Sequence, residues 1–141
     1  MFERDIQKFN VEFSDTTERV FLEAGKEASL MRHHIVGTPH LVLGLIIEGS
    51  VRRLMLRTGY STNIEVARRL VTNQFYEGEF SYDHPLTEAV SAAIRNATDQ
   101  VISRGENRIL PVDLYGALLV NPNKGLAEEL LEGLRLKTHL F

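Results

Sequence analysis

The 141-residue sequence contains no cysteine and no tryptophan. Without cysteine it can form no disulfide bond, no cysteine nucleophile and no thiolate metal site. Long hydrophobic runs are also missing, since the longest, Leu41 to Ile47, is far too short to cross a bilayer. No apolar stretch follows the charged N-terminus in the manner of a secretory signal. We therefore expect a cytoplasmic protein with no membrane contact, or a protein of the plastid stroma if the source is a plant.

The sequence also lacks a large net charge of either sign. The formal net charge is −3, which is too acidic for a general nucleic-acid binder. One region departs from this balance, because five arginines fall within eighteen residues whose only acidic residue is Glu65. The members of this arginine cluster are Arg52, Arg53, Arg57, Arg68 and Arg69. Such a cluster either faces water from the sides of helices or meets phosphate or an acidic partner.

Apolar residues recur at helical spacing in both halves of the chain. The two series are Val20, Phe21, Ala24, Ala28 and Met31, then Val90, Ala93, Ile94, Ala97 and Val101. Each series occupies one face of a helix. A second, wholly apolar helix follows the first series, and we expect Thr38 to cap it with Pro39 as its first helical residue. Gly44 inside that helix indicates that another backbone approaches closely there.

Capping boxes mark two further helix starts. The first is predicted at Ser14-Asp15, with Glu18 three residues after the aspartate. The second is predicted at Thr62, with Glu65 as its partner, and opens a helix whose apolar side runs from Ile64 to Phe75.

The chain repeats itself at an offset of 73 residues. Placing residue n over residue n+73 needs no gap across 35 positions and aligns helix starts, breaks and apolar residues. The sequence therefore predicts an all-α fold, in which two pseudo-symmetric four-helix-type repeats pack into one bundle. We expect repeat 1 at residues 13–75, a linker at 76–85 and a truncated repeat 2 at 86–141, all within one compact domain.

Signatures of catalysis are weak. The sequence has no nucleophile elbow, phosphate-binding loop or dinucleotide-binding glycine pattern. His33, His34 and His40 lie close together, but none of their spacings is the helical pair that binds zinc. We expect His40 to hydrogen-bond to backbone at its helix start, with Asp113 in the equivalent place. The prediction is therefore no enzyme, no cofactor and no metal, with a small hydrolase that uses one of the histidines as an alternative.

The segment Gly37-Thr38-Pro39-His40-Leu41-Val42-Leu43-Gly44-Leu45 closely resembles the N-terminal repeat domain of Clp ATPases, most of all the ClpC branch. The opening Met1-Phe2-Glu3-Arg4 is similar to that family as well. The resemblance implies a non-catalytic helical domain, which in that family docks substrates and adaptor proteins for unfolding and delivery to the ClpP peptidase. Stand-alone relatives without ATPase domains also exist.

The same resemblance supplies candidate partner-binding residues. ClpC members bind phosphorylated arginine at two equivalent sites, through a threonine at a helix start and the glutamate of Gly-Thr-Glu-His. Here the helix-start positions are Ser14 and Thr87, and the glutamate positions are Pro39 and Val112. Proline and valine cannot pair with a guanidinium, which argues against phospho-arginine recognition. Arg52 and Arg53 join these four as candidate partner-binding residues.

The sequence thus predicts a protein-interaction module whose partners are Clp subunits, adaptors or client proteins, and which needs neither nucleotide nor metal. No nucleic-acid partner is expected. The alternative is a helical module that binds an anionic partner or nucleic acid through the Arg52–Arg69 cluster.

Overall fold

The computed structural model describes residues 11–33, 35–74, 87–120 and 127–136. The elements in order are β1 (Glu12–Phe13), α1 (Asp15–Leu30), α2 (Thr38–Glu48), α3 (Arg52–Arg57), α4 (Ile64–Gln74), α5 (Glu88–Ser103), β2 (Arg108–Ile109), α6 (Pro111–Val120) and α7 (Ala127–Leu134). The predicted all-α fold is confirmed, and the short parallel pairing of β1 with β2 is an addition that the sequence did not indicate. The predicted linker at 76–85 lies outside the described residues.

The two repeats are visible in the helix boundaries themselves. Helices α1 and α5 are each 16 residues long, and their first residues are 73 positions apart. Helices α2 and α6 begin at Thr38 and Pro111, which is the same offset. The bend after the first helix repeats too, because Arg32 and Gly105 both have a left-handed backbone, with φ of 61° and 77°.

Helix α2 lies at the centre of the bundle. Its nine residues from Thr38 to Ile46 are all buried, and it packs against α1, α4, α5, α6 and α7. Its closest approach is to α1 at Gly44, where an added Cβ would come well inside 3.0 Å of the Val20 carbonyl oxygen. The predicted close approach at this glycine is confirmed, and the glycine is required because the neighbour is main chain.

The caps of α1 and α4 differ from the predicted boxes. Ser14 itself caps α1, since its Oγ accepts the Thr17 N–H at 3.1 Å, so Glu18 is one position too far along to complete a box. At α4 the cap is Asn63, whose Oδ1 accepts the Val66 N–H at 3.2 Å. Both helices therefore start where predicted to within one residue, with a different side chain as acceptor.

Helix α2 is capped in an unexpected way. Gly37, rather than Thr38, is the N-cap, and Thr38 and Pro39 are the first two helical residues. The Thr38 hydroxyl accepts the N–H of Ala127 at 3.2 Å instead of capping its own helix. This hydrogen bond ties the start of α7 to the start of α2, which explains why a threonine is buried there.

The turn between α3 and α4 is joined to the end of α7. The Ser61 N–H donates to the Leu134 carbonyl at 2.7 Å, and the Leu136 N–H donates to the Gly59 carbonyl at 2.7 Å. Between them Tyr60 pairs with Arg135, whose guanidinium lies 5.2 Å from the centre of the Tyr60 ring. The last described helix of repeat 2 is thus held by repeat 1. None of the described helices has both the length and the apolar character needed to span a membrane.

Candidate functional site

The starts of α1 and α6 meet at a junction between the repeats, which we call junction 1. The Ser14 N–H donates to the Ile109 carbonyl at 3.0 Å. The Ser14 Oγ donates to the Thr17 Oγ1 at 2.9 Å, and that hydroxyl donates in turn to the Ile109 carbonyl at 2.8 Å. Ser14 is buried, so its hydroxyl serves the cap and the connection between repeats.

The starts of α5 and α2 meet at junction 2, the pseudo-symmetric counterpart. The Thr87 N–H donates to the Val36 carbonyl at 3.1 Å, and both residues stand 73 positions from their partners in junction 1. The Thr87 Oγ1 accepts the Val90 N–H at 3.3 Å and so caps α5 as Ser14 caps α1. Each helix start is therefore held by the other repeat.

The two junctions differ in the side chains that they expose. At junction 1, Leu110 and Val112 are 43% and 45% exposed, although both are apolar. At junction 2 the position equivalent to Val112 is Pro39, which is buried in the first turn of α2. Neither position offers a carboxylate. Among the described residues of the two junctions, the exposed apolar side chains Leu110 and Val112 lie at junction 1.

Arg52 and Arg53 lie apart from these junctions, on α3. The Arg52 Nε donates to the Ile46 carbonyl at 2.9 Å, near the end of α2. Pro39 is at the opposite end of that helix, about 10 Å away along its axis. Arg53 is exposed on α3. The structure therefore does not bring all six predicted partner-binding residues into one site.

The arginine cluster is not a single free cationic surface. Arg68 forms a two-pronged ion pair with Glu27 of α1, with Nε to Oε1 at 2.8 Å and Nη2 to Oε2 at 3.0 Å. Its hydrogen bond to Glu27 raises the pKa of Arg68 above the ordinary arginine value. Glu65 also pairs with it, at 3.3 Å. Within the segment Glu65 is the only counter-charge, and the fold adds Glu27, which is 41 positions away from Arg68 in the sequence.

The histidines form a buried structural pair. His40 Nδ1 accepts the Gly37 N–H at 2.9 Å, which confirms the predicted bond to backbone at the helix start. His40 Nε2 lies 2.8 Å from His33 Nδ1, so a neutral His40 carries its proton on Nε2 and donates it to His33. Burial, reinforced by the charge of His33, lowers the pKa of His40 to about 3.

Repeat 2 solves the same capping problem with different chemistry. Asp113, equivalent to His40, accepts the Leu110 N–H on Oδ2 at 2.8 Å. Arg104 bridges Asp113 and Glu106 at 2.9 Å each. The equivalent residues of repeat 1, His40 and His33, contact each other directly. Asp113 and His40 each accept a backbone N–H three residues earlier, so the His40 imidazole has the structural role that an aspartate has in repeat 2. His34 lies outside the described residues, and within the described ranges no three metal-ligating side chains come together.

Helix α1 carries a surface that the sequence analysis missed. An open groove of about 740 Å³ runs along its outer side. We call it the α1 groove, and its described lining residues are Phe21, Leu22, Gly25, Lys26, Ser29 and Leu30. Leu22 and Leu30 are 58% and 77% exposed. Their spacing of eight residues, on the side opposite the inward series, was the signal that could have revealed this face.

Comparison with known proteins supports the fold. No protein-family model matches the chain. Among solved structures, the chain is similar to the N-terminal domain of the caseinolytic protease associated chaperone ClpD from Arabidopsis thaliana, with a TM-score of 0.67 and 22% sequence identity. The match covers 84% of this chain and 83% of that one. The chain therefore has the fold of a Clp N-terminal domain, as the resemblance in its sequence implied.

Proposed function

We propose that this chain is a non-catalytic docking module, which binds protein segments or adaptors for a Clp unfoldase and its peptidase, or regulates that machine. The fold that it shares with the ClpD N-terminal domain is the support for the class of function. The observation that carries the binding role is junction 1, where Leu110 and Val112 are exposed beside a helix start held by the other repeat. A partner that covers these two side chains would gain free energy from removing their apolar surface from water.

Two polar groups that could serve catalysis, the Ser14 hydroxyl and the His40 ring, make structural hydrogen bonds. The Ser14 hydroxyl caps α1 and connects to Thr17, and the His40 ring accepts a backbone N–H on one nitrogen and contacts His33 with the other. A nucleophile and a base must reach a substrate as well as each other. Because these hydrogen bonds already occupy the Ser14 hydroxyl and the His40 ring, a binding role is favoured over the hydrolase alternative.

Junction 1 differs chemically from a site for a charged ligand. Val112 at junction 1, like Pro39 at junction 2, stands where the ClpC members that the sequence resembles have a glutamate for the guanidinium. The ligand that fits junction 1 is therefore an apolar, unfolded or extended protein segment rather than a phosphorylated arginine.

The test measures binding to a permanently unfolded protein, such as reduced and carboxymethylated lactalbumin, and to Clp ATPase and peptidase subunits of the source organism. We expect Leu110→Ser together with Val112→Ser to weaken binding by roughly tenfold. Val120→Ser is the matched control, because Val120 is an exposed valine near the other end of the same helix and is 70% exposed. Equal binding by the double variant and the control would overturn the assignment to junction 1. Hydrolysis of ATP or of an ester by the purified chain would overturn the non-catalytic role.

An anionic partner remains the alternative function. Arg53 and Arg57 are exposed one turn apart on α3, so they present two cations on one side of that helix. Binding of this kind would weaken steeply with rising salt concentration. A shift of labelled RNA or DNA at low salt that disappears in Arg53→Gln/Arg57→Gln would favour it, and no shift at low salt would remove it.

A further inference from the structure

The α1 groove is distinct from both junctions and has no role in the function proposed so far. It lies along the side of α1, and Ser14 and Thr87 do not line it among the described residues. Its volume of about 740 Å³ is within the range of protein binding sites. Leu22 and Leu30 are eight residues apart, so they flank about 12 Å of helix surface.

Repeat 2 offers a comparison for this face. Helix α5 has the same length and register as α1, so each outward position has a counterpart 73 residues later. Three of the outward pairs are Leu22 and Arg95, Lys26 and Asp99, and Leu30 and Ser103, whereas the groove residue Ser29 corresponds to the exposed Ile102. The inward faces of both helices are buried and mostly apolar, with Thr17 and Glu27 as the buried polar residues of α1 and Thr98 as that of α5. The fold therefore does not require leucines at positions 22 and 30, and their exposure on one side of α1 makes both side chains available for contact with a partner.

The charge in the groove indicates what it contacts. Lys26 is the charged residue among the described lining, and it lies between the two leucines. Its side chain is 59% exposed, and its Nζ is 3.9 Å from the Glu23 carboxylate, a loose contact at the surface. The ammonium can therefore accept a carboxylate from outside while the leucines take up apolar side chains.

We propose that the α1 groove binds a short amphipathic helix of another protein, which places apolar side chains over Leu22 and Leu30 and a glutamate or aspartate against Lys26. A helix of two to three turns spans the distance between the leucines. Its apolar residues would follow the three- and four-residue spacing that groove-binding helices use. The carboxylate fixes the register of the bound helix, because only one position along it faces Lys26.

The test uses a labelled amphipathic helical peptide with a glutamate between its apolar residues, and the same peptide with lysine instead. Fluorescence anisotropy reports binding to the whole chain. We expect the glutamate peptide to bind more tightly than the lysine peptide. Leu22→Arg and Leu30→Ser are expected each to weaken binding by roughly tenfold. Lys26→Asp is expected to reverse the order of the two peptides.

The variants carry their own folding control, because each installs the residue that α5 already has at the equivalent position. Circular dichroism should show unchanged helix content. Ile102→Ser on α5 is the matched surface control, since Ile102 is exposed and its loss should change peptide binding by less than about twofold. Variants at junction 1 should leave peptide binding intact, which separates this proposal from the function above.

Three results would overturn the proposal. The first is equal binding by the wild type and Leu30→Ser. The second is an order of the two peptides that Lys26→Asp does not change. The third is a wild-type chain that binds neither peptide but self-associates, with the self-association lost in Leu30→Ser. That result would make a second copy of the chain the occupant of the groove.

Discussion

The contact between α1 and α2 can be tested by adding a single methyl group. In Gly44→Ala the new Cβ would lie inside 3.0 Å of the Val20 carbonyl oxygen and 3.2 Å from the Ala24 nitrogen. Both are main-chain atoms, so no side chain can rotate away and the helices must separate. Forcing extra volume into a packed core costs about 3 kcal/mol at such a contact. Alanine in place of glycine returns about 1 kcal/mol of helix propensity, so the net loss is about 2 kcal/mol.

Gly116 supplies the matched control on α6. A Cβ at Gly116 would meet no atom within 4 Å. Gly116→Ala is therefore expected to raise the free energy of unfolding by about 1 kcal/mol through helix propensity alone. Thermal and urea unfolding followed by circular dichroism would measure both changes, and Gly44→Ala should lower the melting temperature by about 6–10 °C. A Gly44→Ala variant as stable as the wild type would refute the close approach of α1 and α2.

Three other predictions concern charge and backbone conformation. Burial, reinforced by the charge of the neighbouring imidazole, lowers the pKa of His40 to about 3 from 6.5, so the unfolded chain binds more protons between these pH values. The free energy of unfolding should therefore fall by up to about 1.4 kcal/mol per pH unit below pH 6.5 and level off near pH 3, and His40→Asn should flatten that slope in urea titrations at several pH values. If His40→Asn left the pH dependence of the free energy of unfolding unchanged, the lowered pKa of His40 would be contradicted. Arg68→Met should cost about 2–3 kcal/mol and Glu27→Gln about 1 kcal/mol in urea unfolding, because the Glu27 side chain is 5% exposed and would be left unpaired, whereas Arg68 is 40% exposed and can turn to water. Equal losses would show that burial of the carboxylate is not what matters. Gly105→Ala should lose about 1 kcal/mol of thermal stability because the backbone is left-handed there, while Arg32→Ala should be nearly neutral since its position already holds a side chain. A neutral Gly105→Ala would be evidence against that conformation.

Much of the fold could be predicted because it follows from local patterns. Apolar spacing placed α1 and α5, and the offset of 73 residues relates their first residues to each other. The cap residues were less predictable. Thr38 has the sequence signature of an N-cap, yet its hydroxyl binds Ala127, which is 89 positions away. The Thr38 hydroxyl could bond to its own helix or to another one. The packing of the helices decides between these partners, and the local sequence does not indicate which is chosen.

The site was predicted in part. The resemblance placed Ser14 and Thr87 at helix starts, and both are N-caps in the structure. It could not show that each helix start is hydrogen-bonded to the opposite repeat. Backbone groups make these bonds whatever the side chains, so the sequence of neither segment indicates them. The pairing of Arg68 could not be predicted either, because its partner Glu27 lies 41 positions earlier in the chain.

The sequence by itself determined the helices, their inward faces and their doubling, since helical periodicity and the preference of apolar side chains for burial act over a few residues. The absence of cysteine likewise excludes disulfide and thiolate chemistry whatever the fold. Only the tertiary structure decided which helix starts meet, which histidine nitrogen donates and which leucines stay outside. Those outcomes depend on how two similar repeats pack against each other, where backbone groups buried at the junctions must find partners in the other half.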